Sequence, residues 1–372
     1  MTPKTAGRKP SKRGMIVSNL RQQIVDGRLE PGSCLPSRMT IQKQFDASMA
    51  TVQQALDALV RDGFVYTRHG VGTFVAEKPP HLCHYGLVFW GHSGVRGWRR
   101  FDTALLNEAS AIDKSRERRI RFYYGITEGD NDDEERGRLI ADVRAHKLAG
   151  IIFAMKPPRE MVEMAMLQSP QAPCVAIISR PDIPNVTAVT LSESFTVRAL
   201  GYLAGQGRRR VAFLNPWQPS AELTKKWDES ISSLSAANGM TCEPYWKLRV
   251  HRDGPECARD VIYLLFSQAG PARPDALCIT DDNLVEHATA GLIAAGVRVP
   301  QDVDVVAHCN FPWATPSVMP VKRLGYDARE VLEQCIRVID MQRQGEVPPR
   351  QVLVEAKFEE ELIRQGVPLE RA

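Results

Sequence analysis

Nothing in the 372 residues signals a metal, a disulfide framework, a membrane span or a familiar catalytic motif. The eight cysteines, at positions 34, 83, 174, 242, 257, 278, 309 and 335, form no C-x-x-C pair and no Cys/His cluster. That excludes a zinc ribbon or a stapled secreted scaffold and fits a reducing compartment. No stretch approaches the ~18 consecutive apolar residues of a membrane helix. The opening MTPKTAGRKPSKRG lacks an export signal's hydrophobic segment, so a cytoplasmic protein without membrane contact is expected. Gly70-x-Gly72 and Gly94-x-x-Gly97 fall short of the full G-x-G-x-x-G spacing, and neither follows a strand and opens a helix. There is also no G-x-x-x-x-G-K-[ST] loop, G-x-S-x-G elbow or H-E-x-x-H helix. The acidic run from Asp130 to Glu135 reads as a solvated helix start, where negative charge suits the dipole. No enzymatic activity, cofactor or metal is expected.

What is present is an average globular composition, 43% apolar and 25% charged, long enough for two or three domains of roughly 100–200 residues. The net charge of +4 is unevenly spread: residues 1–80 carry 12 Lys and Arg against 6 Asp and Glu, and the remainder is slightly acidic. An anionic partner therefore belongs at the amino-terminal end.

That end reads as three short helices and a hairpin. Ile16, Leu20 and Ile24 recur every four positions from Met15 to Val25, and Gly27 follows where a helix would stop. Ser37 is placed to cap a second helix through Phe45, and Ser48 a third carrying Val52, Ala55, Leu56, Leu59 and Val60 on one face. Two alternating runs, 64–67 and 73–75, flank the glycine-bearing loop 68–72. The expected domain is a winged helix-turn-helix over 14–77, after a basic flexible tail at 1–13 and before a linker at 78–84. Its apolar stripe turned inward leaves Ser48, Met49, Ala50, Thr51, Gln53 and Gln54 at the start of the third helix, the part that enters a major groove. Glutamine can pair bidentately with adenine, and a hydroxyl can bond a phosphate. Arg38 starts the second helix, and Arg68, His69 and Gly70 form the wing, all placed for phosphate or minor-groove contact. The alternative is that these are solvated side chains, with Met49 packed on the second helix.

The segments Leu20–Ile24, Gly27–Gly32, Leu35–Ser37, Thr51–Leu56 and Gly70–Val75 together resemble the DNA-binding domain of the gluconate-repressor (GntR) family. The resemblance implies a double-stranded DNA operator as partner, with wing contacts carried by His69 and Gly70. Family members usually place arginines where this chain has Met39, Met49 and Gln53, which implies a different operator sequence.

From residue 85 to 372 apolar runs at 85–90, 120–124, 149–154, 174–178, 211–215, 276–280 and 303–307 alternate with amphipathic stretches. Strands of that kind separated by helices indicate parallel sheets covered on both faces, an α/β doubly wound architecture whose ligands bind beyond the strands' carboxyl ends. The residues there are Trp90, His92, Lys156, Arg180, Trp217, Asp281, Asn310 and Trp313. A tryptophan face can stack on the C–H side of a sugar while the polar groups bond its hydroxyls; alternatively these are core or rim residues.

Leu148–Ile152, Gly207–Phe213, Pro274–Asp282 and Gly296–Val306 resemble the effector domain of the lactose-repressor (LacI) family, itself similar to periplasmic binding proteins. The resemblance implies two lobes closing on a small molecule, with Asp281 and Asp282 facing it. Cys309 stands where a ligand-binding Asp is common. The whole is similar to arabinose-repressor-like architecture. The expected function is a nucleoid-associated homodimeric transcriptional regulator, a repressor, controlled by a small-molecule effector such as a sugar or sugar derivative. The alternative is a cytosolic ligand-binding module whose basic end docks on a protein or other anionic partner.

Overall fold

The computed structural model describes residues 11–95, 97–114, 117–127, 133–168, 171–217, 220–252, 254–268, 270, 273–366 and 369. Of the basic tail expected over 1–13, positions 1–10 lie outside the described residues, as do 130–132 of the acidic run. Helix α1 (Lys12–Val25) starts three residues before Met15, because Ser11 Oγ accepts the Gly14 amide at 3.1 Å and closes the first turn earlier than periodicity alone indicates.

Helices α2 (Arg38–Phe45) and α3 (Met49–Arg61) follow, capped by Ser37 and Ser48, and strands β1 (Val65–Arg68) and β2 (Gly72–Val75) pair antiparallel as the wing. Ile16, Leu20, Ile24, Ile41, Val52, Leu56, Leu59 and Phe64 form this domain's own core. Each fully buried aliphatic side chain there contributes ~1.5–3 kcal/mol against exposure. A one-turn helix α4 (Pro80–Cys83) fills most of the expected linker and leads directly into the larger unit.

Strands β3 (His84–Val88), β4 (Arg119–Tyr123), β5 (Gly150–Phe153), β6 (Cys174–Ile177) and β7 (Val186–Leu191) build the first lobe, with α5 (Arg100–Lys114), α6 (Asp133–Arg144) and α7 (Arg159–Met166) between them. Helix α8 (Ser194–Gly205) crosses to the second lobe. It holds β8 (Val211–Pro216), β9 (Lys247–Val250), β10 (Ala276–Ile279), β11 (Asp304–Phe311) and β12 (Lys322–Asp327), with α9 (Ala221–Ala237), α10 (Cys257–Phe266) and α11 (Val285–Ala294). The chain returns through α12 (Ala328–Arg343) to add β13 (Gln351–Val354) to the first sheet, then crosses again to β14 (Lys357–Phe358) and α13 (Glu359–Arg364).

The sheet orders are β4-β3-β5-β6-β7-β13 and β9-β8-β10-β11-β12-β14, parallel except for β14. In both, the strand order reverses beside the first strand, so a crevice opens past the carboxyl ends of β3 and β5 in one lobe and of β8 and β10 in the other. Three crossings tie the lobes, and one apolar cluster runs through α12 from Tyr85 to Phe213, so the two lobes are two halves of one unit.

Candidate nucleic-acid interface and effector cleft

The reading edge is built by the cap of α3. Ser48 Oγ accepts the Thr51 amide at 3.1 Å and lies 2.8 Å from Thr51 Oγ1, which fixes the first turn. With Val52, Ala55, Leu56 and Leu59 turned inward, Met49, Ala50 and Gln54 face solvent and Thr51 and Gln53 are half-buried. Met49 is 44% exposed, so it stands at the solvent edge. Gln53 Nε2 donates to Asp57 Oδ1 at 2.7 Å. Arg38 is exposed at the start of α2. In the wing the Arg68 guanidinium lies over Tyr66 and Phe74, at 5.4 and 5.1 Å from the ring centres, which pre-orients it. His69 and Gly70 form the exposed tip, where Gly70 has φ +73°.

Between the lobes lies a cavity of about 640 Å³ that brings together Lys156, Arg180, Asp281 and Asn310. Arg99, Arg252, Asp282 and His308 line it too. Asp281 Oδ2 accepts Arg252 Nε at 2.7 Å, and its Oδ1 accepts the Asn283 amide and side-chain nitrogen at 3.0 and 2.6 Å. Burial pushes the Asp281 carboxyl up, but Arg252 and Asn283 outweigh it and hold the group below its ordinary value. Among the described residues the adjacent Asp282 has no cation in contact. Burial, reinforced by the Asp281 charge, raises it to about 7, while Asn310 Nδ2 donates to its Oδ2 at 2.6 Å. His308, between the rings of Phe195 and Tyr326, is lowered to about 4 by desolvation and stays neutral. Its Nδ1 and the Asn310 Oδ1 are buried without a hydrogen-bond partner among the described residues.

The remaining expected ligand contacts lie outside that cavity. Trp90 Nε1 donates to Asp102, 3.3 Å away, and the same buried carboxylate holds Arg99, so Trp90 stands behind a cavity residue. His92 stacks on Tyr124 at 4.8 Å, and Trp217, 49% exposed, stacks on His251 at 5.5 Å. Trp313 bridges the lobes: its Nε1 donates to Glu108 of α5 at 2.9 Å. Arg252 was open to discovery, because it follows β9, but the polar run KLRV carries a weak strand signal. Arg99 sits before α5 with no periodic signal. Cys309, fully buried, does not line the cavity.

A third constellation joins the two units. Asp62, the C-cap of α3, accepts Arg21 of α1 at 2.6 Å and Lys147 of the first lobe at 2.8 Å. Lys147 also lies 3.8 Å from Asp142, which receives Arg121 at 3.0 Å and the Tyr123 hydroxyl at 2.8 Å. Beside it the linker's His81 stacks on Phe64 at 6.0 Å. Among the described residues no group of three or more His, Cys, Asp or Glu could hold a metal ion, and no helix is long and apolar enough to cross a membrane.

Comparison with known proteins places these regions. The bacterial regulatory proteins of the gntR family match residues 12–75, and a periplasmic binding protein-like domain matches residues 200–359. The arabinose metabolism transcriptional repressor of Geobacillus stearothermophilus is 39% identical over 355 residues, which cover 89% of this chain and 93% of that protein. The HTH-type transcriptional repressor NagR of Bacillus subtilis is 44% identical over 73 residues, 20% of this chain, and the match spans only 30% of that relative's length. Among solved structures, a LacI family transcriptional regulator from Lactobacillus casei with bound glucose superposes with a TM-score of 0.54 at 20% identity, covering 74% of this chain and 98% of that one.

Proposed function

The chain belongs to the family of the arabinose metabolism transcriptional repressor, and from that premise we propose that it is a DNA-binding repressor whose operator affinity is set by a sugar or sugar derivative held between its lobes. One observation carries the reading. The helix whose amino-terminal edge is free to enter a major groove is anchored at its other end, through Asp62, to the lobe that forms half of the cleft. Closure of the lobes on a ligand then bears on the placement of the reader. An effector moves that equilibrium only by binding one arrangement better than the other, and such coupling is typically ~1–3 kcal/mol.

The protein acts as a homodimer in the cytoplasm, on a palindromic operator with half-sites ~34 Å apart or a multiple of it. It performs no chemistry on its ligand. Arg38, Arg68, His69 and Gly70 hold phosphates or the minor groove, while Met49, Ala50, Thr51, Gln53 and Gln54 meet base edges and Ser48 sets the helix start. Fluorescence anisotropy with operator and scrambled duplexes at two salt concentrations tests this. Specific binding should weaken steeply with salt. Arg38→Ala should lower affinity for all sequences alike, and Gln53→Ala should relax discrimination at one base pair. Equal affinity for operator and scrambled DNA at physiological salt would instead favour a ligand-binding module that docks on an anionic partner.

A further inference from the structure

We propose that α3 selects A·T base pairs, through the 5-methyl groups of thymines seated against Met49 and Ala50 and through an adenine edge bonded by Gln54. The inference rests on the reading of the amino-terminal domain as an operator binder and specifies the bases it chooses. It follows first from what the helix lacks. The pairings that pick out G·C in a major groove are arginine or lysine on O6 and N7 of guanine, and a carboxylate on N4 of cytosine. The thirteen residues of α3, MATVQQALDALVR, hold one cation, Arg61, in the last turn, and one acid, Asp57. At 1.5 Å per residue Arg61 stands ~18 Å along the helix from Met49, at the end remote from the reading edge. Asp57 lies ~12 Å along, and its Oδ1 accepts Gln53 Nε2 at 2.7 Å. The leading turns therefore carry neither G·C reader.

What the edge presents instead is apolar or amide. Met49 is 44% exposed, Ala50 and Gln54 face solvent, and the Thr51 hydroxyl is engaged by Ser48 Oγ. Met39, in the first turn of α2, is 63% exposed, so both helices of the motif begin beside an uncovered thioether. The domain's core closes without these side chains, on Ile41 and Val52 of the same two helices. The charges around them point to what covers them. Neither helix has an acidic residue in its first turn, and Arg38 and Arg68 are exposed nearby in the fold's reading surface and wing. Two helix amino termini and two guanidinium groups suit a polyanion that carries apolar groups between its charges. In a duplex that apolar group is the thymine methyl, which projects into the major groove, and a glutamine amide pairs with N6 and N7 of adenine in the same groove. The unbranched, polarisable methionine side chain adapts to such a methyl.

The test begins with selection of duplexes from a random library by the ligand-free full-length protein. Fluorescence anisotropy then follows on the selected duplex with single thymines replaced by deoxyuridine, which removes the methyl and keeps every base-pair hydrogen bond. At one thymine or more in each half-site the replacement should weaken binding about three- to five-fold, the worth of one buried methyl. Because the contact is apolar, that factor should be the same at 50 and 200 mM salt, whereas total affinity falls. Met49→Ala should abolish the sensitivity to one such replacement, a non-additivity that a merely structural role would not produce. Met49→Arg should move the selected base at that position to guanine. Met49 is exposed, so neither change should unfold the domain, which the melting curve checks. A guanine or cytosine required at the base pair that Met49→Ala relaxes, or full affinity with every thymine replaced, would overturn the A·T assignment and leave the repressor reading standing. Selection of no sequence at all would remove both.

Discussion

The winged helix and the clamshell place their candidate functional atoms oppositely. In the reader they stand outside: Met39 is 63% exposed, Met49 44%, and Arg38, Arg68 and His69 face water. In the sensor they are drawn in, with Asp281, Asp282 and Asn310 at 6%, 3% and 2% exposure. The contrast follows from the partners. A DNA duplex is larger than the domain that grips it and must be met on a convex surface, with charge screened by salt. A metabolite offers few atoms, and only burial makes each hydrogen bond count. Burial also commits the sensor's ionisable groups to one another and shifts their titration.

Four changes break or sharpen that comparison. The largest effect is expected from Phe64→Ala, which removes a fully buried ring stacked on His81 and beneath the Arg21 guanidinium. It should cost ~3–5 kcal/mol in the reader, seen as an early calorimetric transition, and abolish operator binding while ligand binding in the clamshell persists. One transition lowered as a whole would show the two units to be one cooperative block, and an unshifted profile would contradict the assigned role of Phe64.

Next, Arg252→Ala strips Asp281 of its cation and leaves a buried charge without its ion-pair partner. Because the Arg252 side chain is 41% exposed, water recovers part of the loss. A cost of ~1–2 kcal/mol in the clamshell's transition is expected, with effector affinity down about ten-fold and ligand-free operator affinity unchanged.

Asp282→Asn tests the raised carboxyl. The folded value, about 7, lies above that of the unfolded chain, so ionisation penalises the native state as pH climbs from ~4 through 7, and the penalty is complete above that. The variant should therefore match the parent below pH 4 and melt ~3 °C higher or more at pH 8.5. Identical melting profiles at both pH values would contradict the assignment.

The smallest effect belongs to Lys147→Ala at the joint, where a partly solvated ion pair is worth under ~1 kcal/mol. Operator affinity should barely move, but the ratio of affinities with and without effector should shrink. An unchanged ratio would mean that coupling runs through the linker at His81 alone.

The reader was legible in sequence almost residue by residue, because caps and apolar periodicity are local. Ser37, Ser48 and the stripe from Val52 to Leu59 fall within one helical repeat of the atoms they organise. In the clamshell the seven expected strands are present, with shifted ends. Val186–Leu191, Lys247–Val250, Lys322–Asp327 and Gln351–Val354 escaped, and two of these carry the Lys- and Arg-rich faces of partly buried strands. Four of the eight expected ligand contacts converge on the cavity. Trp90 and Trp313 do not, because each indole N–H goes where an acceptor is, and Trp217 stacks on His251 at the surface instead. For Trp313 that acceptor is Glu108, 205 residues away in the chain.

Sequence alone pointed to an amino-terminal basic winged helix followed by a doubly wound α/β unit, since charge balance and hydrophobic period are properties of neighbouring residues. Which strand ends face each other, which carboxylate keeps its proton, and that Asp62 clasps Lys147 across 85 positions of chain were decided by tertiary structure. These depend on distances between segments remote in sequence, and on a low-dielectric interior that exists only once the lobes have packed.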